Sequence, residues 1–263
     1  MIASSAKIGV AAGVPYTGGK SQSGVWQRII NLIPPHDVYV EPFLGSGAIM
    51  RLKKPAAKNI ARDLVAPKMA LGVPCDFKRA CGIEFLESYK FTGTEFVYCD
   101  PPYVLSARGN RRHYLHEMSD AQHERLLRVV RDLPCRVLIS GYRSGIYDRA
   151  LRGWNREEFE VMTRGHTWAT EVLWFNYPRP LDLHDLAHVG TDYRDRWRIE
   201  KRRRRWRARL QKMPALERAT LFSALVDVMG LVAGGSATNG AGPRSAAANA
   251  ETGATRDNRP RRS

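Results

Sequence analysis

Cysteine is scarce in this chain, with four residues (Cys75, Cys81, Cys99 and Cys135) among 263. None forms a C-x-x-C pair or sits with histidines at zinc-ligand spacing, which excludes a disulfide scaffold or a structural zinc module and leaves the thiols as reduced core residues. No metal is expected. No apolar run approaches the roughly 20 residues needed to span a bilayer. The opening Met1-Ile2-Ala3-Ser4-Ser5-Ala6-Lys7 lacks the basic-then-apolar order of a signal peptide, so a cytoplasmic protein without a membrane partner is expected. No internal repeat is found. Acid is the scarce charge: 26 Asp and Glu stand against 42 Lys and Arg, a formal net charge of +16. Such an excess calls for a polyanionic partner, and nucleic acid is the first expectation.

The length and a hydrophobic content of 43 % allow one substantial core with an appendage, not two large domains. The most informative stretch is Phe96-Val97-Tyr98-Cys99-Asp100-Pro101-Pro102-Tyr103. An apolar run drives into an acid, two prolines and an aromatic, the pattern of a buried strand opening into a stiff loop. The Asp100 carboxylate, the Pro101 carbonyl and the Tyr103 ring would offer a planar amine two acceptors and one stacking face. An ordinary strand exit with an Asp-Pro turn also fits the stretch taken alone.

Earlier in the chain, Tyr16-Thr17-Gly18-Gly19-Lys20 is a glycine turn ahead of Val25, Trp26, Ile29, Ile30 and Ile33 at helical spacing, with Pro34-Pro35 as the stop. The turn either presents N–H groups and a lysine to an anion or is a plain turn; its spacing is not that of a P-loop. Val38 to Phe43 reads as a strand running into Leu44-Gly45-Ser46-Gly47 and an apolar helix start, the first unit of a nucleotide-binding α/β sheet. Lys58 to Asp63 is a second strand ending in an acid about 16 residues past Gly47. Asp63 there suits a ribose, or alternatively the N-cap of a helix over Ala66 to Leu71. Cys75-Asp76-Phe77 reads as a strand end, and Ile83, Phe85, Leu86 and Tyr89 as a short helix.

Beyond Tyr103, Val104 to Met118 is basic and aromatic, with Arg108, Arg111 and Arg112 as candidate phosphate contacts in a loop over the site; a merely solvated loop is the competing reading. Ser119-Asp120-Ala121-Gln122 is a capping box, followed by Leu126, Leu127 and Val130 on one helical face. Arg136 to Gly141 is another strand, and Glu158 to Thr163 with Thr170 to Tyr177 should form a terminal hairpin around Gly165-His166. The order predicts an α/β fold: a Rossmann-like, mostly parallel sheet with an antiparallel finish and ligands at the strands' C-terminal ends. Arg194 to Lys212 is strongly basic, with Arg203, Arg204 and Arg207 as candidate nucleic-acid contacts and Trp197 and Trp206 as anchors; a solvated helix docked by its tryptophans is the alternative. A second helix starts near Pro214, and from Gly234 onward the composition is that of a disordered tail.

Taken together, Tyr16-Thr17-Gly18-Gly19-Lys20, Glu41-Pro42-Phe43-Leu44-Gly45-Ser46-Gly47 and Asp100-Pro101-Pro102-Tyr103 resemble the DNA adenine methyltransferases of the Dam type. Val137 to Tyr142 and Glu171 to Tyr177 are similar to that family's later core strands, so the likeness covers roughly residues 14 to 178. The resemblance implies a seven-stranded class I methyltransferase domain over 1–180, followed by a basic helical extension over 181–233 and the tail over 234–263. It implies S-adenosylmethionine as methyl donor, an adenine amine of DNA as acceptor, and no metal. Tyr16, Gly19 and Lys20 would contact the donor, Phe43, Gly45 and Gly47 would wall it, Asp63 would hold its ribose, and Asp100 would lie between donor and acceptor. Asp100, Pro101, Pro102 and Tyr103 would be catalytic, with Tyr103 stacking on a flipped base.

Two features depart from the family. Only the roughly 55 positions from Gly45 to Asp100 separate the glycine turn from the acidic loop, so the family's recognition region is missing or relocated. The acid expected near the donor's adenine is also unassigned, since Asp76 and the pair Cys81-Gly82 both fit the place. Pro74-Cys75 and Pro134-Cys135 do not follow the glycine turn, which argues against cysteine-based cytosine methylation. Competing readings are transfer to a cytosine or RNA amine, and a non-catalytic nucleic-acid-binding protein with a vestigial donor site. A monomer is expected.

Overall fold

The structure, a computed structural model, describes residues 24–109, 114–162 and 167–235, the last five by backbone alone. Tyr16, Gly19, Lys20, Arg111, Arg112, the Gly165-His166 turn and the tail from 236 lie outside the described residues.

Seven strands form one sheet: β1 (Val38–Glu41), β2 (Lys58–Asp63), β3 (Asp76–Arg79), β4 (Glu95–Cys99), β5 (Arg136–Tyr142), β6 (Asn155–Met162) and β7 (Trp168–Phe175), in the order β3-β2-β1-β4-β5-β7-β6. The first five are parallel, and β7 enters antiparallel between β5 and β6. This is the mostly parallel sheet with an antiparallel hairpin expected from the sequence. Parallel strands are covered on both faces and therefore need continuous apolar runs. β4, Glu-Phe-Val-Tyr-Cys, is buried at all five positions.

The strand period of two sorts these side chains between two cores. On one face, Tyr39, Phe96, Tyr98 and Leu138 pack with Ile29 of α1 (Val25–Ile30) and Ile49 of α2 (Ala48–Leu52). On the other, Val40, Ile60, Val97 and Val137 pack with Ile83 of α3 (Gly82–Ser88), Leu126 and Val130 of α4 (Asp120–Asp132) and Tyr147 of α5 (Gly145–Ala150). The predicted capping box starts α4: the Ser119 hydroxyl accepts from the Gln122 N–H, and the Gln122 side chain accepts from the Ser119 N–H. Burying each aliphatic side chain such as Leu126 contributes about 1.5–3 kcal/mol.

Three local expectations change. α1 stops at Ile30, leaving Leu32 and Ile33 to be buried from a turn. No helix forms over Ala66 to Leu71, because Pro67, Gly72 and Pro74 break the run. The segment 184–188, assigned from sequence to the extension, is tied to the sheet's flank: the Asp185 carboxylate accepts from the Lys54 N–H at 2.8 Å, and Asn31 donates to the His188 carbonyl at 2.9 Å.

The chain divides into two compact units, the first running through Arg202 and the second beginning at Arg203. α6 (Tyr193–Lys212) crosses that boundary, and α7 (Ala215–Gly235) belongs to the second unit. Trp197 and Trp206, expected as docking anchors, are instead 57 % and 50 % exposed and carry cations of their own helix, Lys201 and Arg209. In the second unit Arg203, Trp206, Arg207 and Leu210 share a shallow groove with Arg218.

Candidate active site

The turn after β1 begins the site. Leu44 N–H bonds the Arg62 carbonyl at 3.0 Å, and Gly47 N–H closes back on the Leu44 carbonyl at 2.8 Å. Gly45 and Gly47 hold φ of +53° and +66°, the left-handed region that favours glycine. The Gly45 N–H donates to Asp63 Oδ2 at 2.7 Å, while Oδ1 accepts from Val65 N–H at 2.9 Å. Asp63 is therefore not a helix cap; it ends β2 and clasps the glycine turn of its neighbour. Gly82, at the start of α3, is equally constrained, since a Cβ there would lie 2.1 Å from the Pro42 carbonyl oxygen.

These turns enclose a cavity of about 360 Å³ at the C-terminal ends of β1, β2 and β4, lined by Glu41, Phe43, Gly45, Asp63, Gly82 and Asp100 among others. Tyr114 to Met118 forms part of its wall, and Lys68 reaches its rim. Open α/β sheets bind ligands at this end of their strands. Four carboxyl groups line the cavity, Glu41, Asp63, Asp100 and Glu117, the last paired with Arg108, in contrast with a chain of net charge +16.

Asp100 leaves β4 into the proline pair. Ser140, on β5, donates its hydroxyl to Asp100 Oδ1 at 2.8 Å, and Tyr98 shares a 3.0 Å hydrogen bond with the same hydroxyl. The carboxylate is thus held from the neighbouring strand. Pro102 joins Asp100 in the lining. Tyr103 differs from the expected open stacking face: it is 7 % exposed, its hydroxyl donates to Glu171 of β7, and its ring meets Tyr142 edge-on at 4.7 Å.

Arg108 is corrected by the structure. Its Nε donates to the Tyr103 carbonyl at 2.8 Å and its guanidinium pairs with Glu117, leaving the side chain 6 % exposed. It braces the loop from inside and does not present itself to phosphates. Glu117 in turn accepts from the Tyr114 N–H at 3.0 Å, so the wall over the cavity is pinned to the acidic loop.

Glu41 was missed as a site residue. It ends β1 fully buried, takes a 3.1 Å hydrogen bond from Tyr39, and is pushed up to about 8 by burial and by the nearby charge of Asp100, against the opposing pull of the Tyr39 hydrogen bond, Lys53 and Arg51. Lys53, at the end of α2, lies over the Tyr39 ring at 3.9 Å and is pushed down to about 8 by burial, partly offset by Glu41 and Asp185. The alternation Val38-Tyr39-Val40-Glu41 held the signal: it sets Glu41 beside Tyr39 at the strand's ligand-binding end.

Of the other sequence candidates, Phe43, Gly45, Asp63, Asp100 and Pro102 meet at the cavity, and Gly47 shapes the turn beneath it. Pro101 is buried beside them. Asp76 does not reach it: it starts β3 level with Ile60 and pairs with Arg62 at 3.0 Å, whereas Cys81 and Gly82 line the cavity. Cys75 and Cys135 stand outside the lining, and burial pushes their thiols up to about 11 and about 12, the reverse of an activated nucleophile. Among the described residues no group of three or more His, Cys, Asp or Glu is placed to hold a metal ion, and no helix is long and apolar enough to cross a membrane.

No family model and no curated protein matches the chain. Several solved structures align with part of the chain. Precorrin-8w decarboxylase of Methanobacterium thermoautotrophicum aligns at 15 % identity over 61 % of this chain and 92 % of its own, with a TM-score of 0.42. Magnesium protoporphyrin IX methyltransferase of Synechocystis PCC 6803, solved with S-adenosylmethionine bound, aligns at 14 % identity over 58 % and 75 %, with a TM-score of 0.37. The 23S rRNA methyltransferase ErmE aligns at 15 % identity over 67 % and 72 %, with a TM-score of 0.35. At these scores only the cleft's own geometry bears on function.

Proposed function

We propose that this protein is an S-adenosylmethionine-dependent methyltransferase whose acceptor is the exocyclic amine of adenine in DNA. The observation that carries this reading is the convergence of Glu41, Asp63 and Asp100 on one cavity, with the Asp100-Pro101-Pro102-Tyr103 loop at its edge. An acidic cavity in a basic protein suits a small cationic ligand that meets a polyanion. S-adenosylmethionine fits both requirements, carrying a sulfonium, an ammonium and a ribose diol, and when bound it supplies an electrophilic methyl group.

Asp63 would hold the ribose hydroxyls, and Glu41 and Asp100 would face the donor's positive groups. Phe43 and the Gly45 to Gly47 turn would form the apolar wall. The adenine amine is a poor nucleophile because its lone pair is delocalised into the ring, and it is reached only when the base leaves the duplex. Asp100 and the Pro101 carbonyl would accept its two N–H bonds, drawing the nitrogen toward a tetrahedral shape and lining it up for transfer. Ser140 acts through Asp100 by fixing the carboxylate. Tyr103, buried and fastened to Glu171, would act by holding the Asp100-Pro101-Pro102 loop in place.

Mass spectrometry of nucleosides from DNA incubated with the protein and S-adenosylmethionine tests this, with Asp100→Ala alongside. N6-methyladenine formed only by the parent is the expected result. Methylation of cytosine or of RNA would correct the acceptor, and no transfer to any nucleic acid would refute the reading.

A further inference from the structure

The β6–β7 hairpin outruns the sheet it belongs to. β5 ends at Tyr142, paired with Glu171, whereas β6 and β7 stay paired for three more positions: Glu160 with Thr170, Val161 with Ala169, and Met162 with Trp168. Because β7 runs antiparallel to β5, this overhang stands at the C-terminal end of the parallel strands, the end that holds the cavity. At about 3.3 Å per residue it reaches roughly 10 Å past Tyr142.

The overhang carries an apolar pair directly opposed across its strands, Trp168 at 67 % and Met162 at 38 % exposure. Its base is anchored, with Val161 buried and the Thr170 hydroxyl donating to Glu160 at 2.6 Å. A paired ribbon that holds a large indole in water suits a partner better than solvent. Its position also divides the site: Glu41, Gly45 and Asp63 lie on the β1–β2 side of Asp100, whereas Tyr103 is fastened to Glu171 of β7, three residues along the strand from Trp168. The ribbon therefore flanks the acceptor side, and Trp168 with Met162, an odd number of positions from Glu171 and Phe159, stands on the ribbon face opposite the Tyr103 contact. Arg143, half exposed, follows directly on Tyr142 at its foot.

We propose that Trp168, backed by Met162, is a stacking wedge that inserts against nucleic-acid bases beside the one delivered to Asp100. A flat indole next to a pliable thioether complements an aromatic face, and the net charge of +16 selects a polyanion that bears such faces. The inference rests on a nucleic-acid acceptor and not on which base is methylated.

Binding of the full-length protein to labelled random-sequence duplexes, with and without a 2-aminopurine at a mismatch, tests it. Trp168→Ala should weaken duplex binding on the order of tenfold and abolish the brightening of 2-aminopurine, while Trp168→Phe retains most of both. S-adenosylhomocysteine affinity and the thermal midpoint should stay at parental values in both variants. Parental duplex affinity and brightening in Trp168→Ala would overturn the wedge, as would equal losses in the Ala and Phe variants. So would a dimer that Trp168→Ala dissolves without loss of duplex affinity, or a parent that binds no duplex. Loss of duplex affinity in Trp168→Ala of a parent that transfers no methyl group would sink the enzymatic reading and keep the wedge. Parental transfer and affinity in Trp168→Ala would do the reverse.

Discussion

The Gly45 N–H donates to the Asp63 carboxylate at 2.7 Å, so the acid that ends β2 fixes the glycine turn that ends β1. One carboxylate thereby has a structural duty toward Gly45 and Val65 and faces the cavity as well. Substitution should separate the two. Asp63→Asn keeps an acceptor for one N–H but loses the charge, and is expected to weaken S-adenosylhomocysteine binding about tenfold or more with a small change in thermal midpoint. Asp63→Ala should also unlatch the turn and cost a further 1–3 kcal/mol of stability, roughly. Calorimetric binding with thermal melts of both variants checks this. Equal melting of the two would remove the latch from the account.

Asp100 is oriented by Ser140 at 2.8 Å from the next strand. Asp100→Ala should lower methyl transfer by about 10²–10³-fold while duplex affinity stays near the parent's. Ser140→Ala, which frees the carboxylate to turn, should lose about tenfold in turnover with little change in donor affinity. Single-turnover rates at saturating donor would show it. A Ser140→Ala variant with a parental rate would make that hydroxyl a mere filler of the core.

Much of this arrangement was legible in the sequence. β4 was visible because a strand buried on both faces must be a continuous apolar run, and its exit was marked by Asp100-Pro101-Pro102. The capping box announced α4 by side-chain chemistry alone. Glu41 was legible only in part: the alternation of β1 set it beside Tyr39, but its burial and the influence of the Asp100 charge arise from two strands adjacent only in the sheet order. Arg108 was misassigned for the same reason: its neighbours Glu117 and the Tyr103 carbonyl meet it only once the loop folds back. Asp63 reads from sequence as a ribose ligand, with a helix N-cap as the alternative, and the structure shows no helix there for it to cap.

Gly82 should tolerate no side chain. A Cβ would meet the Pro42 carbonyl oxygen at 2.1 Å, and that oxygen belongs to backbone that cannot swing aside without moving the glycine turn. Gly82→Ala is expected to destabilise the protein by about 1–3 kcal/mol and to impair donor binding in what remains folded. Denaturant unfolding measures the first and calorimetry the second. Parental values for both would mean that α3 slides freely.

The carboxyl of Glu41 gives a pH dependence whose sign can be worked out. Its folded-state value is raised, to about 8 from 4.5, so its contribution to stability is fully present below about 4.5 and is lost as pH rises through about 8. Lys53 is lowered to about 8 from 10.5, so its burial costs most below about 8 and that cost fades as pH rises toward 10.5. Glu41→Gln should flatten the decline between pH 4.5 and 8 and, because Glu41 holds Lys53 up, extend the Lys53 limb to lower pH. A cationic donor beside Glu41 would favour its ionised form, so binding near pH 7 should release a proton in the parent and none in Glu41→Gln. Calorimetry in buffers of different ionisation enthalpy counts that proton, and equal release by both proteins would place the coupled group elsewhere.

The last prediction concerns where the phosphates are held. Residues 184–188 bond to Lys54 and Asn31, so a truncation near Pro180 would damage the first unit and confuse stability with binding. Ending the chain after Arg202 avoids that damage and removes Arg203, Arg204, Arg207 and the groove around Trp206. The shortened protein should keep its thermal midpoint and its affinity for S-adenosylhomocysteine. Its duplex affinity should fall, with a salt dependence shallower by about 0.9 in log–log slope for each phosphate that is no longer neutralised. Titrations at several salt concentrations give that slope directly. An unchanged slope would make the second unit's arginines a solvated surface, and would leave phosphate binding to the first unit, where Arg143 stands at the foot of the Trp168 ribbon.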